Sequence, residues 1–374
     1  MKPVSVSKGF TEQFVLGEGD LHFAVKDTLD VAGYRTQAGC PALENAPVAE
    51  QHASVVATLL NKHCVLTGKT TLHELAFGVT GINPWSGTPL NPRYPALIPG
   101  GSSSGSAAVV ASGEADFSIG TDTGGSVRMP AACCGIIGLK PGYGVLSRKG
   151  VMPADSSLDC VGVFSRDAQV LRQVTTRLSV TVDAPLATLP TMSFISAATP
   201  EIDSLILSFL AERDISPQPT NLPTLDDAHR AGLAIISHEN WLALSPLLAS
   251  GKVSTDVATR IRAGADVSTQ ALQDAERIRA RFTAQVDALL TQTPLLALAT
   301  LPELPPTLDE ARDPLSVVNL TRLVRPFNLS GHPALTLPVG EIDGRPVSLQ
   351  LIAAKGHDGL LVQAAEWLTQ RRRH

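Results

Sequence analysis

Gly100-Gly101-Ser102-Ser103-Ser104-Gly105-Ser106 and, further on, Gly120-Thr121-Asp122-Thr123-Gly124-Gly125-Ser126-Val127-Arg128 set the reading of this chain. Each is rich in glycine and small polar residues, the composition of a turn. Between them, Ser106 to Ala111 is a run of small residues that predicts a tightly packed helix. Ala115-Asp116-Phe117-Ser118-Ile119-Gly120 predicts the strand after it. Turn, helix, strand and turn in succession is α/β texture.

The same alternation extends outward. Upstream, Leu21, Phe23 and Val25 alternate with His22, Ala24 and Lys26, which predicts a strand with Lys26 on the face opposite the three large apolar side chains. Residues 49–62 carry apolar positions at helical spacing, and Cys64-Val65-Leu66-Thr67 reads as a short buried strand. Residues 77–106, broken by Gly, Pro, Asn and Ser, predict loops on the surface of the scaffold. The middle has another texture: several prolines between 185 and 225, then a charged helical pattern from Asp256 to Leu290. Strand character returns at Ala334–Val339 and Pro346–Ile352, and a last helix is expected from Asp358 to about Gln370. No internal repeat or low-complexity tract interrupts the chain.

With 374 residues, 44% of them hydrophobic and 17% charged, the chain can bury a large core, and disorder is excluded as its main state. Aromatics are only 4%, so that core must be aliphatic. A net charge of -5 gives no electrostatic case for nucleic acid or an anionic membrane as partner. Arg371-Arg372-Arg373 reads as a solvated tail. Met1–Ser5 leads into no apolar segment, and Pro294 and Pro302 break the apolar stretch near Leu289–Leu304, so neither a signal peptide nor a span is expected. The cysteines Cys40, Cys64, Cys133, Cys134 and Cys160 show no zinc spacing and read as reduced, mostly buried thiols of a cytoplasmic protein.

Three patterns compete as chemistry. Gly68-Lys69-Thr70-Thr71 resembles the end of a P-loop, but His63 stands where that motif needs glycine, so no nucleotide site is expected and Lys69 is read as a surface or loop-anchoring residue. Gly101-Ser102-Ser103-Ser104-Gly105 fits G-x-S-x-G, with His332 or His357 as a later base. It follows a proline-rich loop rather than a strand, which argues against a nucleophile elbow. Cys133 and Cys134 are read as core packing, His63 and His73 as structural, and Glu74 as part of a packed turn.

The third pattern is the pair of turns itself. Their serines Ser102 and Ser126 stand 24 residues apart, and the pair resembles the signature of the amidase signature family, serine hydrolases that cleave carboxamides. Ala24-Val25-Lys26-Asp27, Pro130–Gly135, Gly138–Pro141, Pro326–Ala334 and Leu349-Gln350-Leu351 are similar to further blocks of that family. The resemblance is strongest over residues 20–167 and 322–368, and the variable middle lies at about 170–320. It implies one domain over residues 1–374, an α/β fold with a mixed central sheet flanked by helices on both faces.

Carried over by position, the resemblance implies Ser126 as nucleophile, Ser102 as bridging serine at a cis peptide after Gly101, and Lys26 as base. Backbone N–H groups of Thr123, Gly124, Gly125 and Ser126 would meet the oxyanion, with Ser103, Asp122 and Arg128 as structural support. The chemistry is coherent, since a serine needs a base and a lysine can serve only if burial depresses its pKa. No cofactor and no metal are implied. The partner is a small amide, and a homodimer is left open.

Ser104 stands where the family commonly has glycine, a variant similar to the short branch that includes indole-3-acetamide hydrolases. Two other roles fit the same scaffold: an ammonia-generating subunit of an amidotransferase, and a non-catalytic binding module. The identity of the amide is not readable, because the pocket walls are expected from the middle segment.

Overall fold

Chain order in the computed structural model, which describes residues 9–370, begins with β1 (Phe10–Leu16), β2 (Leu21–Lys26), α1 (Ser54–Asn61) and β3 (Cys64–Thr70). Then come α2 (Ser104–Ser112), β4 (Phe117–Asp122), α3 (Arg128–Cys134), β5 (Ile137–Lys140), β6 (Cys160–Ser165) and α4 (Ala168–Arg177). The middle holds β7 (Met192–Ile195), α5 (Pro200–Ala211), β8 (Gln218–Thr220), α6 (Leu225–Leu244), α7 (Thr255–Ala263), α8 (Thr269–Gln292) and β9 (Leu295–Ala299). The chain closes with α9 (Arg325–Leu329), β10 (Ala334–Ile342), β11 (Arg345–Ala353) and α10 (Asp358–Gln370). The readings made on Met1–Ser5 and Arg371–Arg373 lie outside the described residues.

The strands form one 11-stranded mixed sheet in the order β1-β3-β2-β4-β6-β5-β10-β11-β9-β7-β8. β2 runs parallel to β3 and β4, while β4–β6, β6–β5, β5–β10, β10–β11 and β11–β9 are antiparallel. Every residue of β4, β5, β6 and β9 is buried, which a strand achieves only when helices cover both faces of its sheet. The core is aliphatic, with Phe23 stacked on Phe117 (ring centroids 5.2 Å apart) across the β2–β4 pair as a rare aromatic contact.

Several sequence expectations need correction. The helix read over 49–62 begins only at Ser54, because Ala49 is held in an extended pairing: its carbonyl accepts from Gly33 N–H (2.9 Å) and its N–H donates to Tyr34 (2.9 Å). β3 runs on to Thr70, so Lys69 is not a surface residue but a buried one, and β4 takes in Thr121 and Asp122, which had been read as turn. The helix read at Ser106–Ala111 starts at Ser104. The pattern over 256–290 is two helices, α7 and α8, parted at Gly264–Asp266, where Gly264 packs against the Ser237 backbone.

The loops expected at the surface over 77–106 are instead buried from Leu97 onward. Backbone groups there are paired inside the protein, Leu97 N–H to Tyr94 O (2.9 Å) and Ile98 N–H to Pro306 O (3.1 Å), and asparagine side chains tie the loop to its neighbours. Asn91 Nδ2 donates to Ile98 O (3.2 Å) and Cys133 O (2.8 Å), while Asn83 Nδ2 donates to Gly39 O (2.9 Å) and Leu72 O (2.8 Å).

Candidate active site

Lys26 is the last residue of β2 and Asp122 the last of β4, so two neighbouring parallel strands deliver their C-terminal ends to one place, where open α/β sheets commonly place their sites. Lys26 is fully buried and donates to two hydroxyls, Ser102 Oγ at 2.7 Å and Thr121 Oγ1 at 2.8 Å. Burial lowers its pKa from 10.5 to about 7, against the opposing pull of Asp159 and Asp122. The group is thus an amine with a substantial neutral fraction near pH 7.

Ser102 lies before α2, after a cis Gly101–Ser102 peptide, and its carbonyl accepts from the His73 N–H at 3.0 Å. Ser103 joins the two serine turns: its N–H donates to the Ser126 carbonyl (3.3 Å) and its hydroxyl to the Thr121 carbonyl (3.2 Å). Ser126 is half-buried in the turn before α3.

The turn from Asp122 to Arg128 is held from beneath. Burial alone would raise the Asp122 pKa, but the Arg128 guanidinium holds the carboxyl well below the usual range. That carboxylate accepts from the N–H groups of Gly125 (2.8 Å), Val127 (3.1 Å) and Arg128 (3.3 Å). Arg128, fully buried, donates Nε and Nη2 to Asp122 (3.0 and 2.8 Å), Nη1 to Val324 O and Gln350 Oε1 (2.7 and 2.8 Å), and Nη2 to Asn328 Oδ1 (2.5 Å). All five of its N–H donors are therefore used.

One part of the expected oxyanion cradle changes. Gly125 N–H is committed to Asp122, so it is not free to meet a substrate oxygen. The N–H groups of Thr123, Gly124 and Ser126 donate to no acceptor among the described residues. The glycine at 125 has another reason: its φ of +115° suits glycine, and a Cβ there would run into Val324.

Sequence reasoning named Lys26, Ser102, Ser103, Asp122 and Arg128 and passed over the residues that brace them. Asn328 and Gln350 lie within the blocks similar to the family but carry no expected role. An amide inside Phe327-Asn328-Leu329 or Leu349-Gln350-Leu351 is a signal in itself, because a buried amide needs partners. Asp159 carries no local signal. Its buried carboxylate accepts from Thr123 Oγ1 (2.8 Å) and Arg148 Nε (2.9 Å), and burial raises its pKa.

The competing patterns are placed elsewhere. Lys69 anchors a loop from inside, donating to Arg35 O (2.7 Å) and Thr36 Oγ1 (3.1 Å) and pairing with Asp27 (2.7 Å). His332 is buried between Ser330 (2.9 Å) and Asp287 (2.8 Å), and His357 is exposed. His63 is exposed in the turn before β3, while buried His73 has its pKa lowered to about 3 by burial. Glu74 is buried in a short turn, accepting from Ser254 N–H (3.2 Å). Cys133 and Cys134 are buried, and burial pushes the Cys133 thiol up to about 12. Among the described residues no group of His, Cys, Asp and Glu could hold a metal ion, and no helix is long and apolar enough to cross a membrane.

The family model Amidase matches residues 20–204 and 224–362. The chain is 34% identical to Amidase 1 of Oryza sativa subsp. japonica, over 96% of this chain and 94% of that protein. It is 31% identical to the mitochondrial Outer envelope protein 64 of Arabidopsis thaliana, over 91% of this chain and 63% of that protein. Among solved structures, one described as an amidase superposes with a TM-score of 0.85 at 28% identity, covering 94% of this chain and 85% of its own.

Proposed function

The chain belongs to the amidase family, and from that premise we propose that it hydrolyses a small carboxamide through an acyl-enzyme on Ser126, without a cofactor, in the cytoplasm. The observation that carries this reading is the 2.7 Å contact between buried Lys26 Nζ and Ser102 Oγ, with the lysine pKa near 7. A lysine in that state accepts a proton at neutral pH, where a solvated one cannot.

In the proposed sequence Ser126 Oγ attacks the amide carbon as its proton passes to Ser102 Oγ, whose own proton passes to Lys26 Nζ. The carbonyl oxygen becomes an oxyanion against the N–H groups of Thr123, Gly124 and Ser126, fixed donors that need no rearrangement as charge develops. Lys26 then returns the proton through Ser102 to the leaving nitrogen, the C–N bond breaks, and ammonia or an amine departs. Water repeats the steps on the acyl ester, releasing the carboxylate and restoring Ser126. Asp122, Arg128 and Ser103 position the turn and stay unchanged throughout.

The test is ammonia release from a panel of primary amides (indole-3-acetamide, phenylacetamide, benzamide, a short aliphatic amide and a dicarboxylic monoamide), each beside Ser126→Ala. Release that vanishes in the variant supports the reading. No release from any of them, together with no labelling of Ser126 by a fluorophosphonate, overturns it in favour of a binding role.

A further inference from the structure

Arg325 opens α9, directly after Val324, whose carbonyl holds Arg128 and whose side chain abuts Gly125. Its own side chain lies along the other glycine of the turn. A Cβ on Gly124 would stand 3.2 Å from Arg325 Nε and 3.3 Å from Ile236 Cδ1 of α6. The stem of the arginine runs past Gly232, also on α6, where a Cβ would stand 3.0 Å from Cγ and 3.1 Å from Cδ. The variable middle segment therefore shapes this wall of the nucleophile turn.

Arg325 is only 9% exposed, and among the described residues no carboxylate lies within ion-pair distance of its guanidinium. Among the described residues its single side-chain partner is His229 Nε2, 2.6 Å from Nη1. His229 is no counter-charge: burial and the arginine itself lower its pKa to about 3, which leaves the ring neutral. Arg325 Nε is buried with no hydrogen-bond partner among the described residues. Arg128, at the end of the nucleophile turn, uses all five donors and has Asp122 as counter-ion. A buried cation without an anion is costly, and Nε and Nη2 of Arg325, unpaired among the described residues, form the edge that takes a carboxylate with two parallel hydrogen bonds.

We propose that Arg325 anchors a carboxylate carried by the substrate, so that the amide cleaved at Ser126 is a carboxylate-bearing carboxamide, of which the half-amide of a dicarboxylic acid is the simplest. This rests on the amidase reading. Gly124 belongs to the nucleophile turn, and a Cβ there would stand against Nε of that edge.

The experiment pairs half-amides of three-, four- and five-carbon dicarboxylic acids with the neutral amides of equal length. It measures kcat/KM in the unaltered enzyme and Kd by calorimetry in Ser126→Ala. At least one half-amide is expected to exceed its neutral counterpart by about 30-fold or more in both measurements, the scale of a charge-assisted hydrogen-bonded pair. Arg325→Gln should bring that ratio close to one, and Arg325→Lys, keeping the charge without the planar fork, should restore part of it. Ser126-dependent ammonia release with no preference for any half-amide overturns the carboxylate site and leaves the amidase reading standing. Arg325-dependent binding of a half-amide with no turnover does the reverse. A preference that survives Arg325→Gln, or no binding of any half-amide, overturns the proposal, and the ratio in the unaltered protein decides even if the glutamine variant fails to fold.

Discussion

Lys26 and Lys69 stand on neighbouring parallel strands, paired so that Val25 faces Lys69 and Lys26 faces Thr70, and both are buried, 0% and 1% exposed. What surrounds them differs. Lys69 has a carboxylate, Asp27, at 2.7 Å, together with the Arg35 carbonyl and the Thr36 hydroxyl. Lys26 has hydroxyls only, from Ser102 and Thr121, and its acids Asp159 and Asp122 act at a distance. Burial alone does not make a base. A buried lysine with an ion-pair partner is a brace, and one given hydroxyls can afford to lose its proton.

The largest test of that difference removes each amine in turn. Lys26→Met, close in volume, should lower kcat/KM on a cleaved amide by about 10³- to 10⁴-fold, the worth of a positioned general base, while thermal unfolding shifts little. Lys69→Met should do the opposite. It leaves Asp27 buried without its cation and costs about 3–5 kcal/mol of stability, with kcat/KM per folded molecule nearly kept. Adding Asp27→Leu to Lys69→Met should recover much of the loss, since no charge then remains. A Lys26→Met protein that melts early but still turns over would exchange the roles of the two lysines.

A second, smaller effect is read with pH. If neutral Lys26 is required, kcat/KM rises tenfold per unit below about 7 and levels above it. Stability follows the same group. Between about 7 and 10.5 the unfolded chain holds a proton on Lys26 that the folded chain has released, so unfolding binds a proton and stability rises with pH across that window. The contribution is lost progressively as pH falls from about 10.5 to about 7, at up to about 1.4 kcal/mol per unit, and below 7 the slope vanishes. Comparing unfolding of the unaltered protein with Lys26→Met over pH 6 to 10 isolates it. A flat difference between the two would show that the amine keeps its ordinary affinity for the proton.

How much of this was readable from the residues divides along the same line. The strand periodicity of Leu21–Lys26, the strand of β4 between two turns and the closing helix at Asp358 follow from local pattern, and the structure has them. The mixed sheet with helices on both sides came from the family resemblance, the residues themselves showing only that helices and strands alternate. The two serines and Lys26 could be named only through the resemblance of their blocks to the amidase signature, since local pattern alone makes Lys26 a strand-edge charge and the serines a flexible turn. That Lys69 would be buried was not readable, since its partner Asp27 belongs to another strand end and its carbonyl acceptor to a separate loop. Arg325 was invisible for a similar reason: its site is made by Gly232 and His229, almost a hundred residues away in a segment whose sequence shows only helical spacing. Local pattern specifies elements, whereas a charge without a partner is a property of the assembled fold.

The smallest effect tests the distant acids. Asp159 is buried beside the site, paired with Arg148 at 2.9 Å, and it favours the protonated form of Lys26 without touching it. Asp159→Asn removes that negative charge but keeps an oxygen able to accept from Thr123. Arg148, 15% exposed, is left as an unbalanced cation. Both changes disfavour a charged lysine, so the acid limb of the kcat/KM profile should move to lower pH by about half a unit to one unit, with the plateau changed only a few-fold. The direction is what matters. A loss of activity at every pH would mean that Asp159 holds the geometry of the turn through Thr123, and a shift to higher pH would mean that the lysine is not the group being titrated. A shift downward would show that the proton affinity of Lys26 is set by the whole buried charge pattern, so that hydroxyl neighbours allow a base and remote carboxylates tune it.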